Sequence, residues 1–588
     1  MYLGELIAGL NIGRPPGVAI GACDARVCDI TEDSRTVQPG SLYIARRGEV
    51  SDGRDFVAAA VAAGAVAILS DDPTLDANQE HRTGAPVAMF VTDDIPLASA
   101  LLGERFYGCP SSKLALIGVT GTNGKTTTTY LIHQILNSLG VRCGLIGTVL
   151  IDDGTEVAPA LMTTPPALEI SRTLARMLEA GCRAAVLEVS SHSLAQKRVA
   201  ALEMDVGVFT NLTGDHLDYH KTMEAYADAK AMLFGMLPPK GGAAIVNVDD
   251  PAWKRMVREC RGRVVGTSVG AASSRTHAGA LCSAIPTRAT RFATDADLVT
   301  PWTAGGVQHL HVPMVGAHNV MNSLQAVAAV LALTDGSVAK LADFIEPGEI
   351  SPTQAIAALA RTSAPPGRME CLTEPGDAIT VYVDYAHSDD ALRTVLGLLR
   401  GAITAEAEQG EGRRRHASKS AAPEHRTPEL VVVFGCGGDR DATKRPRMGK
   451  VAAELADRVY VTSDNPRTED PMSIIHAVLA GMPSHVGEQA ATDRIVVEPD
   501  REKAIYRAIG EAGDGDVVII AGKGHEDYQI VLAPPAPAHH EREEEYRPAL
   551  PKTTIRRFFD DRLVAGEALK LRGIQGRSPM VIGASNSV

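Results

Sequence analysis

The stretch GTNGKTTTT sets Gly121, Thr122, Asn123, Gly124, Lys125, Thr126 and Thr127 between an apolar run, LALIGVT, and an amphipathic one, YLIHQILNSLG. Backbone N–H groups in a strand-to-helix turn of this kind can wrap a phosphate, because glycine permits close approach and the helix N-terminus carries positive potential. Lys125 can then neutralise the β and γ oxygens, and the Thr126 hydroxyl can bind Mg²⁺. The spacing departs from the common G-x4-G-K-[ST] form, since Gly118 lies six residues before Gly124 and Gly121 three before it. ATP and Mg²⁺ are the ligands this chemistry predicts.

Two further stretches carry groups suited to metal and phosphate chemistry. RAAVLEVSSHS puts Glu188 near the C-terminal end of a buried strand, where a hard oxygen ligand can meet Mg²⁺. FTNLTGDHLDYHKTMEAYADAK follows another strand and supplies Asn211, Asp215, His216 and, on a helical stretch, Lys230. Of the histidines here, His216 is the candidate ligand, while His192 and His220 read as structural imidazoles. Spacing alone makes Lys230 no more than a surface cation.

The elements that must position these groups follow from length and pattern. A chain of 588 residues, 45% hydrophobic and 22% charged, is expected to build about three or four cores. The pattern predicts an α/β protein of three domains: a small N-terminal α/β domain (1–110), a central P-loop domain with a parallel sheet (111–362) and a C-terminal Rossmann-like α/β domain (363–588). In the last, ITVYVDYA, LVVVFGC, DRVYVTSD and DVVIIAGKG each end in polar or glycine residues, where ligands of open parallel sheets collect. Residues 403–428 and 533–550 read as flexible polar insertions, RRRHASK as a solvated charge run, and the segment after Leu569 as loosely packed.

A formal charge of −13 gives no global field to hold a nucleic-acid backbone. The nine cysteines are scattered without a C-x-x-C pair, as expected for reduced thiols in a cytoplasm. The longest nearly apolar stretch, Val57 to Leu69, is too short to span a bilayer, and the N-terminus lacks the pattern of a secretory signal. A cytoplasmic protein that binds neither membrane nor nucleic acid is expected.

From about Thr31 to Arg562 the chain carries, in order, EDSRTVQPG, GVTGTNGKTTTT, TTP, LEVSSHSLAQKRV, FTNLTGDHLDYH, GAHNVMN, GRME, VDYAH, FGCGGDRDATKRP, SDNPRTEDP and AGKGHEDYQI. As a set these resemble the Mur ligase family of ATP-dependent amide-bond-forming enzymes. The resemblance implies a monomeric acid–amino-acid ligase that joins meso-2,6-diaminopimelate to UDP-N-acetylmuramoyl-L-alanyl-D-glutamate through an acyl phosphate, in peptidoglycan precursor synthesis. It implies catalytic roles for Lys125, Glu188, His216 and Lys230, with Lys230 carbamylated and joining Thr126, Glu188 and His216 as a metal anchor. Asn319 and Asn322 are implied near the adenine, Arg368 near the phosphates and Asp384 on the ribose.

The resemblance further assigns Ser34, Thr163, Thr164, Ser190, Gln196 and Arg198 to the UDP-sugar dipeptide. For the amine donor it assigns Arg440, Asp464, Asn465, Pro466, Arg467, Gly522 and Glu526. A guanidinium can grip the distal carboxylate that lysine lacks, and Glu526 can pair with an ammonium. Three features depart from the family pattern: Ser388-Asp389 stands where relatives usually carry Thr-Pro, Met162 replaces a polar residue before TTP, and His318 in GAHN replaces a common Phe, a form also found among sister ligases. A lysine-adding ligase of the same family and a noncatalytic nucleotide-binding regulator are the alternatives. A folate polyglutamylating ligase is disfavoured by DNPR, GKGHE and the first domain.

Overall fold

The computed structural model describes residues 1–13, 25–48, 51–75, 87–270, 280–303, 306–414, 426–483, 494–533 and 553–579. Among these the strands form four sheets. β1 (Asp29–Thr31), β2 (Ser41–Ala45), β3 (Ala67–Ser70) and β4 (Ala88–Val91) make an all-parallel N-terminal sheet. The large central sheet contains β5 (Ala115–Thr120), β6 (Cys143–Ile146), β7 (Leu150–Asp152), β8 (Val157–Pro159), β9 (Ala184–Glu188), β10 (Val206–Phe209) and β11 (Ala243–Asn247). It continues through β12 (Arg263–Val269), β13 (Ala280–Ala289), β14 (Thr294–Val299) and β15 (Gln308–Val312).

The order of that sheet, β15-β14-β13-β12-β11-β10-β5-β9-β6-β7-β8, decides where the chemistry sits. β5 lies between β10 and β9, so the loop leaving β5 is flanked by those leaving its two neighbours, with Val119 beside Glu188 and Thr120 beside Phe209. Helices cover both faces here, and β5 is buried along its whole length, as the unbroken apolar run ALIGVT requires. The parallel reading holds for β5, β6 and β9 to β13 but not for the whole sheet. β7 and β8 run antiparallel at one edge, and β14 and β15 at the other. Tight turns there replace the helical crossovers that parallel strands need.

The C-terminal sheet has the order β16-β17-β21-β18-β19-β20, from β16 (Glu370–Cys371), β17 (Thr380–Asp384), β18 (Leu430–Phe434), β19 (Arg458–Val461), β20 (Ile495–Val497) and β21 (Val517–Ala521). Asp384, Ala521, Phe434 and Val461 stand in one row across four parallel strands. The loops YAH, GKGHE, GCGGDR and TSDNPR therefore all leave the same edge. A hairpin of β22 (Tyr528–Leu532) and β23 (Thr554–Phe558) lies beyond it.

Two readings of polar segments are corrected. Residues 403–414 continue the helix Asp389–Arg414, in which Leu392, Leu396, Leu399, Ala402 and Ile403 are buried at helical spacing. Ser388 starts that helix by accepting the Ala391 N–H on its hydroxyl at 3.3 Å. Nor is the chain after Leu569 loose as far as Arg577: Ile574 joins a buried cluster, and the Arg577 N–H donates to Leu372 O at 2.7 Å. The remainder of the 403–428 stretch up to 425, with RRRHASK mostly inside it, and residues 534–550 of the second insertion lie outside the described residues.

The central and C-terminal parts are tied at the β13–β14 turn. Arg291 donates its Nε to Glu406 Oε2 at 2.7 Å and its backbone N–H to Glu406 Oε1 at 2.8 Å, and its carbonyl accepts from the Tyr382 hydroxyl. Among the described residues no helix is long and apolar enough to cross a membrane.

Candidate active site

The phosphate loop begins where β5 ends and closes on the helix Lys125–Ser138. Gly121 has φ 148° and Gly124 φ 84°. A Cβ at Gly121 would lie 1.8 Å from Thr210 Oγ1, and one at Gly124 2.5 Å from Asn322 Oδ1, so both positions need glycine for space as well as conformation. Thr210 Oγ1 and Asn211 Nδ2 donate to Asn123 O at 2.6 and 3.1 Å, while Asn211 Oδ1 accepts the Asn123 N–H at 3.0 Å. The loop after β10 thus holds the phosphate loop open. Gly124→Ala is expected to weaken ATP binding about tenfold to hundredfold, the size of a few kcal/mol of backbone strain and displacement. Titration with ATP checks this, and unchanged affinity would contradict the loop geometry.

Lys125 Nζ donates to Gly121 O and Thr122 O at 3.0 and 2.9 Å. Lys230, on the helix Met223–Gly235, donates to the same Gly121 O at 2.7 Å. Two ammonium groups therefore converge on one carbonyl. Burial pushes Lys125 below its ordinary value; the Glu188 carboxylate opposes that shift and the Arg368 guanidinium adds to it. Burial, with the Lys125 charge next, pushes Lys230 down to about 6 against an opposing pull from Asp215. The Tyr226 ring lies 4.5 Å from Lys230 Nζ.

Glu188 is fully buried at the end of β9. Its Oε2 accepts the Thr126 and Thr148 hydroxyls at 3.0 and 2.9 Å, and its Oε1 accepts the Thr148 N–H at 2.7 Å. Among the described residues no group of three or more His, Cys, Asp or Glu side chains could hold a metal by itself. The Thr126 hydroxyl and one carboxylate still suit Mg²⁺, which takes hard oxygens and is ordinarily held by one or two carboxylates with substrate phosphates and water completing its shell. His216 lies on the rim in a left-handed conformation, φ 54°, with its Nε2 3.5 Å from Asp215 and its ring 4.8 Å from that of His192. It and Lys230 flank Tyr226, whose ring centre is 6.0 Å from that of His216. His220 is buried and meets the Ser191 hydroxyl at 2.9 Å.

Asn319 and Asn322 are buried in the helix Ala317–Thr334 behind the loop, with Asn322 Nδ2 donating to Asn319 Oδ1 at 3.2 Å. Thr127 follows Thr126 on the first turn of the loop helix. Arg368 stacks over Tyr385 at 4.4 Å, and Tyr385 in turn faces His525 at 5.2 Å. Asp384 accepts the Met369 and Ala386 N–H groups at 2.7 and 2.8 Å, which fixes the turn carrying Arg368.

Four of the acceptor candidates form one chain of contacts beside Glu188. Thr164 Oγ1 donates to Glu188 O at 2.7 Å and to Ser190 Oγ at 3.3 Å. Arg198 donates Nη1 to Thr164 O at 2.7 Å and Nη2 to Gln196 Oε1 at 2.7 Å. Thr163 accepts the Thr148 hydroxyl at 3.1 Å, and Met162 Sδ lies 3.4 Å from Arg198 Nη1. Ser34 sits apart, in the short turn Ser34–Thr36 of the N-terminal unit, which is joined to this region by an ion pair of Asp94 with Lys197.

At the C-terminal sheet edge, Arg467 has φ 52°, its N–H donates to Ile530 O at 3.0 Å and its Nη1 donates to Gly438 O at 2.7 Å. Asn465 Nδ2 donates to Glu526 Oε2 at 3.0 Å. Pro466 and Gly522 shape the two turns, and Arg440 is exposed near Arg467 across Gly437. Sequence reasoning passed over Lys523, although it lies within GKGHE. Fully buried, its Nζ is 3.7 Å from Asp464 Oδ1 and 3.4 Å from Glu526 Oε2. Thr148, the clamp on Glu188, carries no sequence signal.

Family models described as Mur ligase family, catalytic domain; Mur ligase middle domain; and Mur ligase, glutamate ligase domain match residues 27–107, 119–330 and 414–524. A UDP-N-acetylmuramoyl-L-alanyl-D-glutamate--2,6-diaminopimelate ligase from Chlorobaculum tepidum is 41% identical over 530 residues, 90% of this chain and 94% of that protein. A protein of the same name from Gloeobacter violaceus is 40% identical over 579 residues, 98% of this chain and 99% of its own. A solved structure of a ligase so named superposes with a TM-score of 0.61 at 28% identity, covering 97% of this chain and 99% of its own. A D-alanyl-D-alanyl-adding ligase from Acinetobacter baumannii shares the fold, with a TM-score of 0.53 at 18% identity over 84% of this chain and 90% of its own. With three Mur ligase models matching in succession along the chain and relatives about 40% identical over nine-tenths or more of it, the chain belongs to the Mur ligase family, whose members are ATP-dependent amide-bond-forming ligases.

Proposed function

We propose that this enzyme joins meso-2,6-diaminopimelate to UDP-N-acetylmuramoyl-L-alanyl-D-glutamate at the expense of ATP, in the cytoplasm, as a step of peptidoglycan precursor synthesis. The observation that carries the choice of amine is Arg467. A non-glycine residue held at positive φ marks backbone strain kept by its surroundings. Among the described residues its side chain makes one hydrogen bond, leaving donors of the guanidinium for a distal carboxylate.

On this reading the γ-carboxylate of the D-glutamyl residue attacks the ATP γ-phosphorus. An O–P bond forms, the bond to the β-phosphate oxygen breaks, and ADP leaves. Lys125 and the loop N–H groups stabilise the spreading charge. Mg²⁺, when bound, supplies further neutralisation, and Thr126, Glu188, His216 and a carbamylated Lys230 are the residues to hold it. Arg198 and its neighbours orient the acceptor, while Asn319, Asn322, Arg368 and the turn anchored by Asp384 receive the nucleotide. The donor amine then attacks the acyl phosphate carbonyl, loses a proton, and the tetrahedral intermediate expels phosphate. Asp464, Asn465, Glu526, Arg440 and Arg467 hold that donor.

The test is to incubate purified protein with ATP, Mg²⁺, the UDP-sugar dipeptide and either diaminopimelate or L-lysine, then weigh the product. The diaminopimelate tripeptide is expected, with lysine used at least about a hundredfold less well, because rejection of an analogue leaves a polar site unpaired. Arg467→Ala is expected to raise KM for diaminopimelate about a hundredfold while KM for ATP holds. Efficient lysine ligation that survives Arg467→Ala favours the lysine-adding reading instead.

A further inference from the structure

Arg501 is among the largest fully buried side chains of the molecule, yet it belongs to none of the motifs that bear chemistry. It opens the helix Arg501–Glu511, and its partner Asp561 opens the helix Asp561–Leu571. The pair is bidentate, Nε to Oδ1 at 2.7 Å and Nη2 to Oδ2 at 2.6 Å, and neither side chain is exposed at all. An aspartate at a helix N-terminus is favourably placed, but an arginine there stands at the wrong end of the dipole. A buried ion pair is moreover often no more stable than an apolar pair of the same volume. Stability alone therefore gives little reason for Arg501.

Its remaining contacts give one. Nη2 donates to Ala521 O at 3.0 Å, and Nη1 reaches Ser463 O at 3.5 Å. Ala521 immediately precedes Gly522 of GKGHE, and Ser463 immediately precedes Asp464 of DNPR. These loops leave β21 and β19, which are not neighbours, because β18 runs between them. Two ladder spacings, roughly 9.6 Å, separate the strands, and no hydrogen-bond ladder joins them directly. One planar fork bridges the gap from beneath. Above it the same loops meet through Asn465 and Glu526, and Lys523 sits between Asp464 and Glu526.

We propose that Arg501, held by Asp561, is a positioning residue that sets the spacing of the DNPR and GKGHE loops and so the affinity for the amine donor. This rests on the reading of those loops as the donor pocket. Arg501 does not touch the donor; it acts through the carbonyls that begin each loop.

Three proteins test it: wild type, Arg501→Lys, and the charge-free double variant Arg501→Met with Asp561→Leu, which keeps the buried volume filled. Each is assayed for KM of diaminopimelate, KM of ATP, and hydroxamate formation when hydroxylamine replaces the amine donor. The last measures the acyl phosphate without using the pocket. The double variant is expected to raise KM for diaminopimelate at least tenfold with ATP KM and hydroxamate yield near wild type. Arg501→Lys, able to hold one carbonyl, is expected to recover part of that loss. An amine KM within twofold of wild type in the folded double variant overturns the proposal. Should the double variant not fold, Arg501→Lys decides: a selective rise in amine KM supports the proposal, and no rise or an equal rise in both KM values overturns it. If wild type itself forms hydroxamate but no diaminopimelate product, the reading of the pocket fails first, and that outcome is visible before any variant is compared.

Discussion

Lys125→Met is expected to lower kcat/KM for ATP by a factor on the order of 10³ or more, the range seen when a charge-stabilising group is removed from phosphoryl transfer. Methionine fills much of the same volume, so no large cavity is left, while the cation is lost. The ammonium bridges Gly121 O and Thr122 O, two successive carbonyls at the start of the loop, in a site where burial already strains its charge. A phosphate arriving there supplies the anion that this half-buried cation lacks, which is why the effect should exceed that of a surface lysine. Acceptor-dependent phosphate release measures the loss, and a thermal melt matching wild type separates it from unfolding. Turnover within tenfold of wild type would remove Lys125 from the mechanism. The substitution should also reach Lys230, because the Lys125 charge is the second cause of its low value.

The sequence shows how far local information extends. The phosphate loop and the loops of the C-terminal sheet edge are legible because each is a short run of residues following a buried strand, and strand order brings their ends together. Glu188 is legible for the same reason. Thr148 is not, since its role arises only when β6 lies beside β9. Arg501 and Asp561, sixty positions apart, are invisible for the same reason. In the helix Asp389–Arg414 buried apolar residues recur at helical spacing as far as Ile403, and beyond that point charged and glycine residues give a helix the look of a loop. The mixed edges of the central sheet are not legible, because alternating apolar runs do not declare the direction of pairing. His216 shows the opposite limit: its motif is plain, while its place on the rim beside His192 is a fact of tertiary structure.

Lys230→Met is expected to reduce kcat by a factor on the order of 10² to 10³, comparable to loss of one group that stabilises developing charge. The argument begins from an electrostatic conflict: two lysines donate to Gly121 O, and both are pushed below their ordinary values. At pH 7.5 an ordinary lysine is neutral in about one molecule in a thousand. With a value of about 6, Lys230 is mostly neutral there and able to attack CO₂, forming an N–C bond and releasing one proton. The resulting carbamate is an anion, so modification converts a repulsion between neighbouring cations into an attraction and adds hard oxygens beside Gly121 O of the phosphate loop. The sign with pH follows. Below about 6 the amine is protonated and cannot be modified, so carbamate occupancy and activity should fall together as pH drops through that value. Protein equilibrated with ¹³C-bicarbonate should show a carbamate carbonyl resonance that is absent in Lys230→Met and weakened in Lys125→Met, where the missing charge lets the amine hold its proton more tightly. A fully active wild-type enzyme without that resonance would leave Lys230 as an amine and Thr126, Glu188, His216 and the phosphates as the groups to hold the metal.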